Sequence, residues 1–333
     1  MSLEALNSPP LVAAAGAALY AALPFLEQMT TIPWPTLKVA NTLAFGINVL
    51  AVSRPGRIDG QPQEQPQDGK DKDSKAPSEM DRLSPGRSGR TLVAPAGWAF
   101  AIWGPIYLGE MAMVASQWLL LDESSPTRAI LQKASAPFVV ANVFQSLWCA
   151  SFRPKYKKGY YMYLSWAMLT GTAYSLSKVH ETYSYSSSIN SGVSFGQYCL
   201  YFLPLSLHFG WTTAASLVNL NGAVALNPSA SPRVVAWVGH ATVIGASALG
   251  AAISLTRSAP VFGGVIAWAL LAVADGMKQR LQSTEKKNDD DDDKTEVTGT
   301  YGAKTQLQLS RIGALVSGIA ALTAAIQLWT GSN

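Results

Sequence analysis

Long apolar runs separated by short polar stretches dominate the chain beyond residue 36. A transmembrane helix needs about 20 mostly apolar residues, because it rises about 1.5 Å per residue across a hydrocarbon core of about 30 Å. The pattern predicts helices of this kind at 37–53, 96–121, 136–152, 160–179, 198–222, 234–255, 259–277 and 310–330. We therefore expect an all-α fold, a polytopic transmembrane helical bundle of about eight spans.

Three other segments have a different pattern. The apolar run 11–26 in the N-terminal extension 1–36 contains Pro24 and follows no basic residue, so a ninth span and an interfacial helix both stay open. Residues 54–92 and 282–304 are rich in charged and small polar side chains. Such segments bury too little apolar surface to offset the entropy of ordering, and we predict two disordered insertions.

The composition favours a lipid environment, because only 14% of the residues are charged against about 25% in a soluble domain. The net charge of +4 forms no continuous basic face, so no nucleic-acid partner is expected. Cys149 and Cys199 lie inside apolar runs without the spacing of metal ligands. The sequence predicts no metal site, and no phosphate loop or nucleophile motif assigns catalytic residues.

The distribution of Lys and Arg predicts an orientation. Twenty of the 25 basic residues fall in alternate loops, at 54–92, 153–159, 223–233 and 278–311. Lys and Arg favour the cytoplasmic side of a membrane. We expect these loops on the cytosolic, stromal or matrix side of an integral multi-pass protein.

The second predicted span carries the strongest candidates for function. Phe100, Trp103 and Tyr107 recur at three and four residues and so share a helix face, and Pro105 is expected to kink this helix. Glu110 lies near the same face at mid-membrane depth, where ionisable groups are costly and usually functional. Simple aromatic packing and a carboxyl satisfied by a neighbouring helix remain open alternatives.

The third and fifth predicted spans add polar candidates. Asn142 and Trp148 lie in the third span, where amides often hydrogen-bond across helices without binding a ligand. The fifth span has His208, Trp211 and Asn219 after a second proline. Histidine can ligate a haem iron or relay protons, although a lone histidine on an apolar face is more often a satisfied core residue.

Residues 95–108 (PAGWAFAIWGPIYL) resemble the signature of the tryptophan-rich sensory proteins, the family of TspO and the translocator protein (peripheral benzodiazepine receptor). Residues 41–51, 142–148 and 210–219 resemble that family's first span, its Asn and Trp span and its fifth span. The chain departs from the pattern in its extension 1–36 and its two polar insertions. It also has Pro95-Ala-Gly-Trp98 where smaller members usually show two consecutive prolines after a Trp.

The resemblance implies a TspO-like five-helix core at 37–222, followed by a three-helix extension at 223–333. It also implies that a porphyrin, haem or sterol binds in an aromatic-lined pocket, as a ligand rather than as a certain cofactor. The ligand-binding residues that it implies are Trp98, Phe100, Trp103, Tyr107, Asn142, Trp148, Trp211 and Asn219. Glu110 and His208 are added by their own chemistry.

The leading hypothesis is a membrane receptor or carrier for an apolar planar ligand, with a homodimer left open. A proton-coupled secondary transporter that uses Glu110 and His208 as a relay is the first alternative. A membrane enzyme that acts on a pigment or a lipid is the second.

Overall fold

A computed structural model describes most of the chain, and all the described residues are helical or irregular. The described residues are 8–28, 32–53, 90–120, 125–151, 154–157, 159–184, 193–290 and 301–330. They form ten α-helices, which we number in chain order: α1 Pro9–Gln28, α2 Trp34–Ser53, α3 Trp103–Leu119, α4 Pro126–Ala150, α5 Leu164–Glu181, α6 Phe195–Tyr201, α7 Leu203–Leu226, α8 Pro232–Thr256, α9 Pro260–Asp290 and α10 Ala303–Thr330. A 3₁₀ helix, Gly97–Ile102, leads directly into α3.

Seven of the eight predicted spans each contain one α-helix, and 198–222 contains parts of two, α6 and α7. The structure confirms the all-α polytopic bundle. Among the described residues, five segments are long and apolar enough to cross a membrane: Trp34–Ser53, Gly97–Leu119, Pro232–Thr256, Pro260–Gln282 and Ala303–Thr330. The helices α4, α5 and α7 carry more polar side chains, many of which are buried against other helices. Crossing by these three helices stays a prediction.

Five helices close into a ring. The helix α2 packs on α4, α4 on α5, α5 on α7, α7 on α3, and α3 returns to α2. The helices α8, α9 and α10 pack on one another and reach the ring through contacts of α8 and α9 with α7. The division of the chain at residue 222 stays a prediction, since helix packing alone draws no domain boundary.

The helix α1 lies outside this ring, against α4 and α5. The Tyr20 hydroxyl donates to the carbonyl of Ala167 at 2.8 Å, and Leu23 is buried beside Phe144 and Met168. The apolar part of α1, Pro9–Phe25, is shorter than a full span. The N-terminal extension is therefore partly an ordered helix on the outer face of the bundle.

Described residues from three of the basic segments meet at one end of the bundle. The Arg90 guanidinium donates to the carbonyls of Ala225 and Ala230, and the Arg280 guanidinium donates to that of Thr91. These contacts involve only residues 90 and 91, 225 and 230, and 280, so the grouping of the basic loops as a whole stays a prediction. Which side of the membrane they face stays a prediction.

The two predicted insertions differ from the structure at their edges. Thr91 and Leu92 are buried, α9 continues to Asp290, and α10 begins at Ala303. The last residues of α9 include Lys, Glu and Gln, which favour helix, so the helix continues beyond its apolar part. The remaining predicted disorder, at 54–89 and 291–300, lies outside the described residues.

Candidate functional site

An aromatic cluster lies between α3 and α7 and consists of Phe100, Trp103, Tyr107, His208 and Trp211. The Trp103 ring stacks on Tyr107 with centroids 5.3 Å apart, and it meets His208 and Trp211 edge-on at 5.8 and 6.1 Å. Phe100 meets Trp211 edge-on at 5.6 Å. Phe100, Trp103 and Tyr107 are half-buried, whereas His208 and Trp211 lie behind them and are buried.

Local helix geometry places these rings. The predicted kink at Pro105 is absent from the helix interior, because Pro105 lies in the first turn of α3, where its missing N–H costs little. The break lies at Ile102, where the 3₁₀ helix changes to α-helix. Phe202 separates α6 from α7, and Pro204 lies in the first turn of α7.

A close contact brings α3 and α7 together beside the cluster. A Cβ atom added to Gly109 would lie 2.5 Å from Cγ and 2.8 Å from Cβ of Pro204. Only glycine fits at that separation. The next residue along α3, Glu110, therefore reaches α7.

Glu110 and His208 form the central polar contact of the site. Oε1 of Glu110 lies 2.7 Å from Nδ1 of His208, and neither side chain is exposed. A shared proton or an opposite charge offsets the cost of burying each group, which is several kcal/mol for an isolated ion. The structure thus brings into contact two residues, 98 positions apart, that the transporter hypothesis names as a relay.

Three polar atoms near this contact have no hydrogen-bond partner among the described residues. They are Oε2 of Glu110, Nε2 of His208 and Nε1 of Trp211. Each buried atom of this kind costs about 1–3 kcal/mol when it is left unsatisfied. Unpartnered buried polar groups require an explanation, and a role in binding or catalysis is one.

A second polar group lies next to the cluster and links three helices, α2, α3 and α4. Nε2 of Gln145 donates to the Tyr107 hydroxyl at 2.9 Å, and Nδ2 of Asn48 donates to Gln145 Oε1 at 3.1 Å and to Asn142 Oδ1 at 2.9 Å. Asn142 also donates to the carbonyl of Phe138. Asn142 therefore bonds to α2 and its own helix, and not to the aromatic rings.

A third group holds Trp148 and Asn219. Nε1 of Trp148 lies 3.2 Å from the Ser165 hydroxyl and 3.3 Å from Asn219 Oδ1, and Ser165 donates to the same oxygen. Asn219 follows His208 by eleven residues on α7, a separation of roughly 16 Å along the helix. This group ties α4, α5 and α7 together away from the aromatic cluster.

Trp98 lies apart from the other candidates. Its side chain is 42% exposed, its Nε1 donates to Asp275 Oδ2 at 3.0 Å, and its ring meets Trp268 edge-on at 4.6 Å. Both partners belong to α9. Trp98 thus lies apart from Trp103, because the 3₁₀ helix directs residue 98 toward α9. A role for Trp98 in ligand binding stays a prediction.

Sequence reasoning overlooked several residues of these groups, namely Asn48, Ser165 and Asp275. Asp275 carries the same signal that identified Glu110, a carboxylate inside a predicted span. Asn48 follows Asn41 by seven residues and so shares its helix face. Ser165 has no distinguishing signal.

Within the part of the chain that the structure describes, no three His, Cys, Asp or Glu side chains come together as metal ligands. A cavity of about 470 Å³ lies at the loop end of the bundle, lined by Arg90, Leu92, Tyr301 and residues 228–232 and 235. This cavity contains none of the predicted ligand-binding residues. Five of the ten predicted ligand-binding residues form the aromatic cluster, and Glu110 contacts one of them.

Comparison with known proteins supplies the family. A family model described as TSPO-like protein matches residues 83–285, which includes α3 to α8 and most of α9. No curated protein and no solved structure matches the chain. Since the match covers more than half of the chain and the helices form a polytopic bundle, this integral membrane protein belongs to the TSPO-like protein family.

Proposed function

We propose that this protein is a membrane receptor or carrier that binds an apolar planar ligand, such as a tetrapyrrole or a sterol, at the aromatic cluster. The observation that supports the proposal is the combination of half-buried rings with three unpartnered polar atoms behind them. Family membership agrees with it.

The rings supply the apolar part of the binding energy. Phe100, Trp103 and Tyr107 keep part of their surface accessible, and aromatic pairs add about 0.5–1.5 kcal/mol beyond the burial of area. A flat ligand offers a face to stack on these rings. Such a ligand enters from the hydrocarbon without losing hydration, so stacking and polar contacts decide its affinity.

The unpartnered atoms supply polar recognition. When the proton is shared within the Glu110–His208 pair, Oε2 accepts a hydrogen bond, and Nε1 of Trp211 donates one. A ligand with both a donor and an acceptor would satisfy them. Haem fits in a further way, because Nε2 is the imidazole nitrogen that the Glu110 contact leaves available for iron.

Titration with protoporphyrin IX tests the proposal. Purified protein in nanodiscs should shift the Soret band of the porphyrin and lose tryptophan fluorescence at micromolar ligand. Trp103→Leu should bind at least about tenfold more weakly, since it removes the ring at the centre of the cluster. Trp237→Leu is the matched control, because Trp237 is an exposed tryptophan on α8.

Unchanged spectra and fluorescence of the wild-type protein across micromolar protoporphyrin would reject the proposal. Equal weakening by Trp103→Leu and Trp237→Leu would reject the cluster as the site. A sterol competitor that displaces the porphyrin would identify the cluster as a general planar-ligand site.

A proton-coupled transporter is the second candidate, and the buried contact between Glu110 and His208 favours it. Intramembrane Glu and His side chains often form proton relays. Proteoliposomes with an imposed pH gradient should then accumulate protoporphyrin, and Glu110→Gln should abolish the response to the gradient. Uptake by Glu110→Gln that still follows the gradient would reject the relay.

A further inference from the structure

The helix α9 holds the chain segment that leads into the aromatic cluster. This segment, residues 91–102, ends directly before Trp103. The backbone N–H of Ala96 donates to the carbonyl of Ala272 at 2.9 Å, and Trp98 Nε1 donates to Asp275 Oδ2 at 3.0 Å. The bond at Ala272 is unusual, because a backbone carbonyl within a helix accepts an N–H from outside that helix.

The backbones of the two elements also approach closely. A Cβ atom added to Gly276 would overlap the carbonyl oxygen of Ala94 and would lie 3.2 Å from the backbone N of Ala96. These are backbone atoms, so they cannot turn aside as a flexible side chain can. Two further side chains of α9 donate to carbonyl oxygens of the segment: Trp268 to Ala99 at 3.2 Å and Arg280 to Thr91.

The same helix also reaches the other side of the cluster. A Cβ atom added to Gly210 on α7 would lie 2.8 Å from Cβ of Val265 and 3.4 Å from the carbonyl oxygen of Phe262. Gly210 directly precedes Trp211, a member of the cluster. One helix thus contacts the chain immediately before Trp103 and immediately before Trp211.

We propose that α9 positions the aromatic cluster, with Asp275 and Gly276 as its positioning residues. They hold residues 94–98 and thereby fix where α3 begins and where Trp103 stands relative to Trp211. The helices after residue 222 then contribute to the ligand site, because α9 fixes the position of its rings. The family match, residues 83–285, contains both the segment and its contacts on α9.

The effect of α9 on ligand affinity rests on the proposed function, whereas its effect on the position of α3 does not. Two measurements separate them. Hydrogen exchange of the backbone amides of residues 96–103 reports whether the segment stays on α9. The dissociation constant for protoporphyrin IX reports whether the cluster depends on it.

Four variants in nanodiscs make the test. Asp275→Ala removes the acceptor for Trp98, and Gly276→Ala forces the backbones apart. Asp275→Asn keeps an acceptor oxygen at the same place and should restore wild-type behaviour. Gly264→Ala is the matched control on the same helix, because a Cβ added there meets nothing within 4 Å.

In Asp275→Ala and Gly276→Ala, the amide hydrogen of Ala96 should exchange about tenfold faster than in the wild type, because its hydrogen bond to the Ala272 carbonyl opens more often. They should also bind protoporphyrin about five- to tenfold more weakly. Asp275→Asn and Gly264→Ala should stay within about twofold of the wild type in both measurements.

Unchanged exchange in both Asp275→Ala and Gly276→Ala would overturn the proposal, whatever happens to the ligand. Faster exchange with unchanged affinity would overturn it as well. A wild-type protein that does not bind protoporphyrin would reject the proposed function alone, and the exchange measurements would still decide whether α9 positions the start of α3. Thermal unfolding of each variant shows whether a loss of binding is a loss of fold.

Discussion

The interior of the five-helix ring and the contact among α8, α9 and α10 bury polar groups in different ways. In the ring, long polar side chains such as Glu110 and His208 stand behind partly accessible aromatic rings. Among the last three helices, small residues let the backbones approach. A Cβ atom added to Gly250 would lie 2.5 Å from the Ser317 hydroxyl, which itself lies 3.4 Å from the carbonyl of Ser247.

This difference indicates which of the two regions is suited to bind a ligand and which only holds helices together. Small residues along a helix face allow close packing in a membrane, and interhelical hydrogen bonds add about 0.6 kcal/mol each on average. Such a contact holds helices together. The ring interior instead combines bulky rings and unpartnered polar atoms, which is a costly arrangement for packing alone.

Unpartnered atoms occur in both regions, but they differ in kind. In the three-helix group, the buried hydroxyls of Ser254 and Ser310 have no hydrogen-bond partner among the residues that the structure describes. A hydroxyl is small and neutral. The carboxylate oxygen of Glu110 and the imidazole nitrogen of His208 belong to ionisable groups, whose burial costs far more.

Removal of the Glu110 carboxylate should have the largest effect on stability. Glu110→Leu leaves His208 buried without its partner and should lower the free energy of unfolding by about 3 kcal/mol. Glu181→Leu is the control, because Glu181 pairs with Arg257 near the surface and should cost less than about 1 kcal/mol. Denaturant unfolding in detergent measures both, and equal losses would contradict the special role of the buried pair.

Widening of the α3–α7 contact should have the next largest effect on the free energy of unfolding. Gly109→Ala places a Cβ against Pro204, a rigid ring, and should cost about 2 kcal/mol because the helices must move apart. Protoporphyrin affinity should fall with it. Gly104→Ala on the same helix is the control, because a Cβ added there meets nothing within 4 Å. An equal loss of stability in Gly104→Ala would show that the cost at Gly109 does not come from the contact with Pro204.

Widening of the three-helix contact should cost less and leave the ring intact. Gly250→Ala meets first the Ser317 hydroxyl, which can turn, so we expect a loss of about 1 kcal/mol. Gly245→Ala, which meets nothing within 4 Å, should change little. Protoporphyrin affinity should stay at the wild-type value in both, and a marked loss in Gly250→Ala would break the distinction between the two regions.

Replacement of single unpartnered groups should have the smallest effects and should separate the two regions most cleanly. Ser254→Ala and Trp211→Phe should each change the free energy of unfolding by less than about 1 kcal/mol, because removal of an unsatisfied polar atom offsets the loss of buried contacts. Trp211→Phe should weaken ligand binding about fivefold, the equivalent of one hydrogen bond. An equal effect of Ser254→Ala on binding would contradict the assignment of the site.

The positions of the helices were largely predictable, since apolar length and loop composition are properties of each segment. The start of α4 was less predictable. The structure begins α4 at Pro126, ten residues before the predicted span, because Arg128, Gln132 and Lys133 continue the helix beyond its apolar part. The edges of the insertion 282–304 differ for the same reason.

The candidate site was predictable only in part. The spacing of Phe100, Trp103 and Tyr107 anticipates one face of the cluster, and mid-span depth identifies Glu110. Trp98 belongs to the same motif but faces α9, since a change from 3₁₀ to α-helix lies between the two tryptophans. His208 matches no family motif and yet makes the central contact.

By itself the sequence determined that the chain forms apolar helices and where most of them lie. Those features depend on the solvation of each residue and on periodicity within one helix. The tertiary structure alone decided that Glu110 meets His208, that Asn142 bonds to Asn48, and that Asp275 holds Trp98. These partners lie 94 to 177 residues apart, and they meet because close contacts such as Gly109 on Pro204 set the distance between helices, which no local pattern encodes.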